Sequence, residues 1–437
     1  MKLNNKRTIL TGMGFLSICA FWQMYDNIIP IILTNTFKLS ETVSGAIMAS
    51  DNLLALFLLP FFGALSDKCH TRIGKRMPFI LAGTGMSVVL MNILPRLDNS
   101  YYAEPSSAKL YFFIIVLGLL LISMGTYRSP AVALMPDITP KPLRSKANAI
   151  INLMGAVGGV VYLLIASGLY SASRVAGLTH VDYSDMFGVV SIIMVVSVLV
   201  LFLSIKENKL SLTEAHKEDQ SVGQQSGKEK LPVDVKKSLV FLLFSISLWF
   251  MGYNAITTWF TTYASRIWNM VLGESSMCLT VATVGAIASY IPIGIISSKI
   301  GRKKTITAGV ILLSFSFAMG YVFSVAFEGF SPLLYILFAI VGLAWAAINV
   351  NSLPMVVEMC SGGDIGKFTG YYYTFSMAAQ SVTPIFAGWL MKHIGYASLF
   401  PYSAVFVALA LVTLSFVKHG DSKVISKKGL ENFDIDN

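Results

Sequence analysis

The sequence predicts an all-α membrane protein whose twelve transmembrane helices form two pseudo-symmetric six-helix bundles. Hydrophobic residues make up 55% of the chain and charged residues only 13%, against about 25% charged residues in soluble domains. Apolar runs of at least about 18 residues, long enough to cross a bilayer, recur along nearly the whole chain. A short motif also repeats about half the chain apart, once in each half. Together these observations exclude a soluble globular fold.

Each predicted span is an apolar run bounded by polar or charged segments. The first six spans are residues 8–34, 43–66, 77–96, 109–135, 147–172 and 186–206, and they predict an N-terminal bundle of residues 1–206. The next six are residues 237–264, 274–297, 303–327, 331–357, 366–391 and 396–418, and they predict a C-terminal bundle of residues 237–418. The polar segment 207–236 is free of aromatic residues, which is typical of a solvated linker, and the tail 419–437 reads the same way. A regulatory docking role for the linker remains an alternative.

The repeated motif has the form W-x-M-x-x-N. It occurs as Trp22 to Asn27 and again as Trp249 to Asn254, each time in the first long apolar run of its half. A membrane protein built from two repeats commonly holds its solute site where the repeats meet and exposes it alternately to either side. The repeat therefore suggests a solute site that includes both copies of the motif.

The distribution of positive charge predicts the topology. The net charge is +10, and 26 of the 33 Lys and Arg residues fall on segments that are cytoplasmic if the N-terminus is inside. This is the positive-inside bias. It predicts an integral, multi-pass protein with both termini in the cytoplasm, whose macromolecular environment is the lipid bilayer and not a nucleic acid. Short loops favour a bacterial inner membrane, and we expect a monomer.

No pattern in the sequence predicts an enzyme. The five histidines lie in loops or tails without the spacing of metal ligands, and no phosphate-binding loop or nucleophile motif occurs. The four cysteines do not form a disulfide framework. We therefore expect no cofactor and no metal, and a coupling ion is the only small ion that the sequence leaves to be assigned.

The loops between helices carry a family resemblance. Gly63-Ala-Leu-Ser-Asp67 is followed by a basic cluster at 72–76, and Gly294-Ile-Ile-Ser-Ser298 is followed by a basic cluster at 299–304. These paired loops resemble the cytoplasmic loop motif of the major facilitator superfamily. The longer form of the first loop, the stretch from Arg128 to Gly159 and the stretch 351–380 are similar to the glycoside–pentoside–hexuronide:cation symporters and the related sucrose transporters.

This resemblance implies import of a sugar or glycoside by cation symport, most simply with H⁺ and alternatively with Na⁺. Two departures limit what can be carried over. Leu121 stands where the sucrose transporters have a helix-4 acid, and the paired helix-2 carboxylates of melibiose-type sites are not reproduced at their usual spacing. Two other functions remain open: a proton-coupled exporter of drugs or metabolites, and a membrane sensor that transports nothing. The absence of a Gly-Pro signature in helix 5 argues against the exporter.

Two acids inside predicted spans are the candidates for ion coupling. A carboxylate near the middle of a membrane costs about 2.5–3.5 kcal/mol on insertion scales, so its presence indicates a function. Asp26 and Asp51 lie at similar predicted depth on adjacent helices. Burial and a neighbouring like charge both favour the protonated form of a carboxylic acid. We predict that Asp26 is the protonation site, whereas Asp51 is either a second coupling group or a packing contact of Asn52.

Sugars present apolar ring faces and many hydroxyls, so their sites combine stacking aromatics with amide and hydroxyl partners. Trp22, Tyr25 and Asp26 follow the spacing i, i+3, i+4 and share one helix face. Arg128 is the only intramembrane cation; it either binds a carboxylate or a sugar hydroxyl, or extends to the interface. Core packing or lipid contact is the alternative for each aromatic. The predicted sugar-binding residues are Trp22, Tyr25, Asn27, Arg128, Trp249, Tyr253, Asn254, Trp345, Asn349, Asn351, Tyr372 and Gln380.

Charged residues at the cytoplasmic ends of the helices are predicted to control gating. Each exposed ion pair is worth only about 0–1 kcal/mol, but several together can bias two conformations that differ by a few kcal/mol. We expect charge contacts between Asp67 and the basic cluster, and acid–base pairs within each half. The predicted gating residues are Asp67, Arg72, Lys75, Arg76, Asp137 with Arg144, and Glu358 with Lys367.

Overall fold

The computed structural model describes residues 4–139, 144–208, 232–327, 329–359 and 365–421. Within these ranges the long elements are twelve helices, one for each predicted span. Their bounds are α1 Asn5–Ile31, α2 Glu41–Asp67, α3 Met77–Ala103, α4 Ser107–Asp137, α5 Arg144–Leu169, α6 Ser184–Ser204, α7 Val233–Ile267, α8 Leu272–Ile300, α9 Arg302–Ala326, α10 Leu333–Val357, α11 Ile365–His393 and α12 Leu399–Ser415. A π-helical turn, Ile32–Thr36, continues α1, and a short helix, Ala172–Val175, precedes α6.

Eleven of the described helices are long and apolar enough to cross a membrane. The remaining long helix, α11, has 29 residues but is more polar. It carries Ser376 and Thr383, both buried within the protein.

The chain divides into two compact units. The first unit contains the residues up to 39 and the rest of α2 to α6 from residue 50 onward. The second unit contains α7 to α12 together with residues 40–49. The start of α2 is thus grouped with the second unit, whereas the sequence places it in the predicted bundle of residues 1–206. Glu207 and Asn208, which the sequence assigns to the linker, bond to the loop before α3 in the first unit.

The same pattern of helix packing occurs in both units. In the first unit α1 packs against α5 and α6, and α3 packs against α4 and α6. In the second unit α7 packs against α11 and α12, and α9 packs against α10 and α12. Each pair in the second unit lies six helices after its counterpart. The structure thus extends the repeat from the tryptophan motif to the packing of each half.

Candidate substrate and coupling site

The first unit places an aromatic and charged cluster on one face of α1. Trp22 and Asp26 are half-buried, and Tyr25 is buried. The Trp22 and Tyr25 rings meet edge to face, with centroids 5.4 Å apart. Neither the Trp22 indole N–H nor the Tyr25 hydroxyl has a hydrogen-bond partner among the described residues. Both polar atoms are buried, so this cluster contains hydrogen-bonding groups that no described residue satisfies.

Arg128 on α4 faces this cluster. Its guanidinium carbon lies 5.5 Å from the centroid of the Trp22 ring, within the range of a cation–π contact. Arg128 also interacts electrostatically with Asp51. These contacts place the guanidinium beside α1, and the binding role of Arg128 stays a prediction.

The two intramembrane acids of the first unit interact with each other. Asp26 lies close enough to Asp51 for electrostatic interaction. Asn52 donates from Nδ2 to Asp51 Oδ1 at 2.9 Å, which is the packing contact that the sequence offered as the alternative for Asp51. Asp51 is thus held by an amide and influenced by Arg128. Asp26 lies within the first copy of the repeated motif, directly before its asparagine.

Asn27 is buried and bonded within its own helix, and its predicted contact with a sugar stays a prediction. Its side chain is fully buried, and its amide donates to the Gln23 carbonyl of the same helix at 2.6 Å. Because the residue follows Asp26 directly, it points to a different face of α1. The repeated motif therefore places its tryptophan and its asparagine on different sides of the helix.

The second unit contains an aromatic cluster of its own. Tyr253 on α7 stacks on Trp345 of α10, with ring centroids 3.7 Å apart and planes 4° apart. Phe250 meets the edge of Trp345 at 5.3 Å and lies 6.4 Å from the Tyr372 ring. Tyr253 and Trp345 are half-buried and can present a ring face to a ligand. Phe250 was not predicted, although it lies three residues before Tyr253 and so shares its helix face.

Amide groups accompany this cluster. Asn254 and Asn349 are half-buried, and Asn349 bonds to Tyr290 of α8. The side-chain oxygen of Asn254 has no hydrogen-bond partner among the described residues. Gln380 is half-buried on α11, where its amide bonds to the Ser376 carbonyl at 3.3 Å.

Three of the predicted sugar-binding residues in this unit lie in its core. Trp249 is 0% exposed. Asn351 is 1% exposed and bonds both to Ser297 of α8 and to the Ala347 carbonyl. The Tyr372 hydroxyl bonds to Ser352 at 3.1 Å, and the residue is 5% exposed. These side chains hold helices of the second unit together, because packing turns their faces inward.

Arg76 is the centre of the predicted charge network in the first unit. It is 4% exposed, forms an ion pair with Asp67, and donates from Nε to Asp137 Oδ2 at 2.9 Å. Lys75 Nζ lies 3.0 Å from the same Asp137 oxygen, whereas Arg72 is exposed. Asp137 therefore binds two cations of the loop before α3.

The second unit has a corresponding ion pair. Arg302 at the start of α9 pairs with Glu358 at the end of α10, as Arg76 pairs with Asp137. The sequence paired Glu358 with Lys367 and Asp137 with Arg144. The side chains of Lys367 and Arg144 lie outside the described residues, so those two predicted pairs remain predictions.

Two carboxylates that the sequence placed in the linker and the tail cap a helix in each unit. Glu207 is 1% exposed and accepts backbone N–H bonds from Lys75, Arg76 and Met77 at 3.0–3.2 Å. Asp421 accepts the backbone N–H of Lys303 at 3.2 Å. Each carboxylate therefore lies at the N-terminus of the third helix of its half, where the helix dipole favours a negative charge. The sequence contains a signal that could have predicted these caps, because each acid lies a few residues after the last helix of its half.

A glycine makes room for each cap. Gly74 and Gly301 have φ angles of +125° and +99°, which L-residues with a side chain rarely adopt. A Cβ at Gly74 would lie 2.0 Å from Glu207 Oε2, and one at Gly301 would lie 3.0 Å from Asp421. The glycines of the two repeated loops are thus explained by the carboxylates that pack on them.

Glu207→Gln should destabilise the protein more than Asp421→Asn. The first variant replaces a buried carboxylate that accepts hydrogen bonds from three backbone N–H groups. The second replaces a carboxylate that accepts one backbone N–H. We expect a loss of about 1–2 kcal/mol in the free energy of unfolding for Glu207→Gln, from the usual size of helix-capping and dipole contributions. Thermal unfolding of the purified protein in detergent measures both variants. Equal stability of Glu207→Gln and wild type would contradict the role of the cap.

Comparison with known proteins identifies the class. A protein-family model described as the Major Facilitator Superfamily matches residues 11–273 and 264–436. With two six-helix units that repeat the same packing, the molecule is an integral membrane transporter and not an enzyme. The chain belongs to the major facilitator superfamily.

Individual relatives agree with this assignment. The sucrose transport protein SUC3 of Arabidopsis thaliana is 31% identical over 138 residues, which cover 29% of this chain and 23% of that protein. The uncharacterized MFS-type transporter MJ1317 of Methanocaldococcus jannaschii is 21% identical over 406 residues, 90% of each chain. The inward-open structure of the xylose transporter XylE from E. coli has a TM-score of 0.64 at 16% identity and covers 98% of both chains. The chain thus spans about a quarter of the sucrose transport protein that it matches, and the XylE likeness shows the fold.

Proposed function

We propose that this transporter imports a sugar or glycoside together with a proton, by alternating access. The observation that carries the proposal is the cluster on α1. An acid, Asp26, lies one turn along α1 from a half-buried tryptophan whose indole N–H has no hydrogen-bond partner in the described part of the chain, and a guanidinium faces the same ring. Stacking surface, hydrogen-bond donors and an ionisable group in one cluster suit a polyhydroxylated solute moved with an ion.

The second unit supports the same class of solute. Tyr253 and Trp345 offer a stacked aromatic surface, and the Asn254 oxygen beside them has no hydrogen-bond partner among the described residues. Aromatic faces bind the apolar face of a pyranose ring, and an amide oxygen accepts from its hydroxyls. The similarity to sucrose transport proteins over part of the chain points in the same direction.

Proton coupling follows from the chemistry of Asp26. A protonated Asp26 removes a charge from the membrane interior and would favour both sugar binding and reorientation of the loaded carrier. After release of the sugar inside, the acid would lose its proton to the cytoplasm. The coupling ion would be Na⁺ instead if uptake required Na⁺ and moved no protons.

Sugar addition to energy-starved cells that express this protein should make a lightly buffered medium more alkaline. Each sugar that enters with a proton removes that proton from the medium, so one substrate class in a panel of mono- and disaccharides should give a pH rise. Cells carrying the empty vector are the control. An unchanged pH with every sugar would reject sugar–proton symport, uptake of labelled sugar that requires Na⁺ would then indicate Na⁺ coupling, and drug-driven proton release would favour the exporter.

A further inference from the structure

A groove lies on the surface of the first unit, between α3 and α6. Its volume is about 510 Å³, and its wall also includes Leu169 at the end of α5. Arg96 and Asp185 line one end of the groove, and Ile192 lines it further along α6. A Cβ added at Gly188, in the wall formed by α6, would have no atom of another helix within 4 Å. In the described part of the chain, the groove is therefore open at Gly188.

Side-chain contacts join the two walls of the groove. Asn92 of α3, which lines the groove, donates from Nδ2 to Ser191 Oγ of α6 at 2.6 Å. Nearer the end of α3, His180 in the loop before α6 lies with Nε2 2.8 Å from Asn99 Oδ1 and 3.6 Å from Asp98 Oδ2. Asp98 is 0% exposed, so this contact anchors the loop on α3. The walls are thus held together at both ends of the groove.

The groove continues into a lipid-facing surface of α6. Ile192 is 65% exposed, and the exposed apolar residues Val196, Leu199 and Leu203 follow it along the helix. Their spacing of i, i+4, i+7 and i+11 places the four side chains on one helix face. On a spanning helix, such a face contacts lipid tails, which are as apolar as leucine. Asp185 lies at the start of α6, and Ile192 is about 10 Å further along the helix axis. The groove therefore leads from charged groups toward the hydrocarbon region.

Opposite charges lie together at one end of the groove. Arg96 on α3 and Asp185 on α6 are both exposed. Within the described ranges, neither forms an ion pair with the other or with a third residue. A guanidinium matches the geometry of a phosphate group, and a carboxylate accepts strong hydrogen bonds from an ammonium group. The charge distribution of the loops predicts that this end lies outside, at the level of the lipid headgroups.

We propose that this groove binds one phospholipid whose headgroup carries both a phosphate and a primary amine. Arg96 binds the phosphate, Asp185 accepts from the ammonium, and one acyl chain lies along Gly188 and Ile192. This occupant matches both charges at once. An anionic headgroup without an amine would bring its charge close to Asp185, and a quaternary ammonium has no N–H to donate. The lipid site is separate from the cluster on α1, and it does not require that the solute be a sugar.

Competition between lipids measures the headgroup selection. The purified, delipidated protein is mixed with equal amounts of phosphatidylethanolamine, phosphatidylglycerol and phosphatidylcholine that carry the same acyl chains. Native mass spectrometry then identifies the lipids that stay bound. We expect phosphatidylethanolamine to bind at least about ten-fold more tightly than the other two, because hydrogen bonds between charged groups are stronger than neutral ones. Equal retention of the three lipids would overturn the proposal.

Three variants separate the parts of the site. Arg96→Gln should lower the retention of all three lipids, because each of them carries a phosphate. Asp185→Asn should remove the preference for the amine headgroup, so that the three lipids are retained similarly. Gly188→Leu should fill the groove and prevent binding whatever the headgroup. Arg96 and Asp185 are exposed, so their substitution tests the site without disturbing the core.

Matched substitutions elsewhere in the first unit are the controls. A Cβ at Gly118 on α4 also has no atom of another helix within 4 Å, so Gly118→Leu adds the same side chain outside the groove. Lys109 near the start of α4 bonds to two backbone carbonyls at the end of α3 and just after it. Lys109→Gln therefore removes a cation at the same end of the unit. Both controls should bind lipid as the wild type does. Wild-type lipid selection by Arg96→Gln or Gly188→Leu would place the lipid elsewhere and overturn the proposal.

Discussion

Asp26→Asn is expected to abolish uphill sugar accumulation while sugar exchange continues. Asparagine has nearly the shape of a protonated aspartic acid but cannot release or bind a proton, so the carrier should bind sugar and reorient without coupling. In cells or proteoliposomes with an inward proton gradient, the internal sugar concentration should fall from many times the external value to about equal. Counterflow of labelled sugar measures the exchange that should persist.

Two further carboxylate variants make this result specific. Asp51→Asn tests the neighbouring acid, and a loss of accumulation there alone would transfer the coupling role to Asp51. Glu104→Gln is the control, because this carboxylate lies at the turn between α3 and α4 with its side chain 88% exposed. Undiminished accumulation by Asp26→Asn would remove Asp26 from coupling, whatever the other variants show.

Gly158→Ala should prevent the first unit from folding stably. A Cβ at this position on α5 would lie 2.0 Å from the Leu16 carbonyl oxygen of α1 and 2.7 Å from its carbonyl carbon. Both atoms belong to the backbone, so no side chain can rotate away, and the two helices must separate. Overpacking in a well-packed interior costs about 1–3 kcal/mol and occasionally more. We expect the upper part of this range or beyond, and loss of transport with it, because α1 carries Trp22 and Asp26.

The adjacent glycine provides a matched control. A Cβ at Gly159 would lie 3.5 Å from the Gln23 side-chain oxygen, an ordinary contact. Gly159→Ala should therefore change the free energy of unfolding by less than about 0.5 kcal/mol, as substitutions without a steric conflict do. Size-exclusion profiles recorded after heating to a series of temperatures compare the two variants. Similar melting of both would contradict the close approach of α1 and α5.

The fold could be predicted almost completely from the sequence, because its signals are local. Twelve apolar runs correspond to twelve helices, and the predicted boundaries agree with the helix bounds to within about four residues, except that α3 extends to Ala103, beyond its predicted end at residue 96. Hydropathy indicates whether a segment prefers lipid to water, and it can be evaluated without knowing which helices lie next to that segment. The family followed from the loop motifs for the same reason.

The candidate site could be predicted only in part. Trp22 and Trp249 occupy the same place in a repeated motif, yet Trp22 is half-buried and Trp249 is fully buried. Asn351 is one of the predicted sugar-binding residues, and the structure places it in the core, where it joins α8 to α10. In helices that are apolar on all sides, the sequence does not show which face packs inward. The rotation of each helix is set by its packing partners.

The sequence by itself determined that this chain is a membrane transporter of two related halves, with acids inside its spans and charged loops between them. The tertiary structure decided which of these residues meet. It alone brought Arg128 over Trp22, placed Glu207 on the N-terminus of α3 and set His180 beside the buried Asp98. Such contacts join residues distant in sequence, and they depend on the packing of whole helices, whereas hydropathy and loop charge act within one segment of chain.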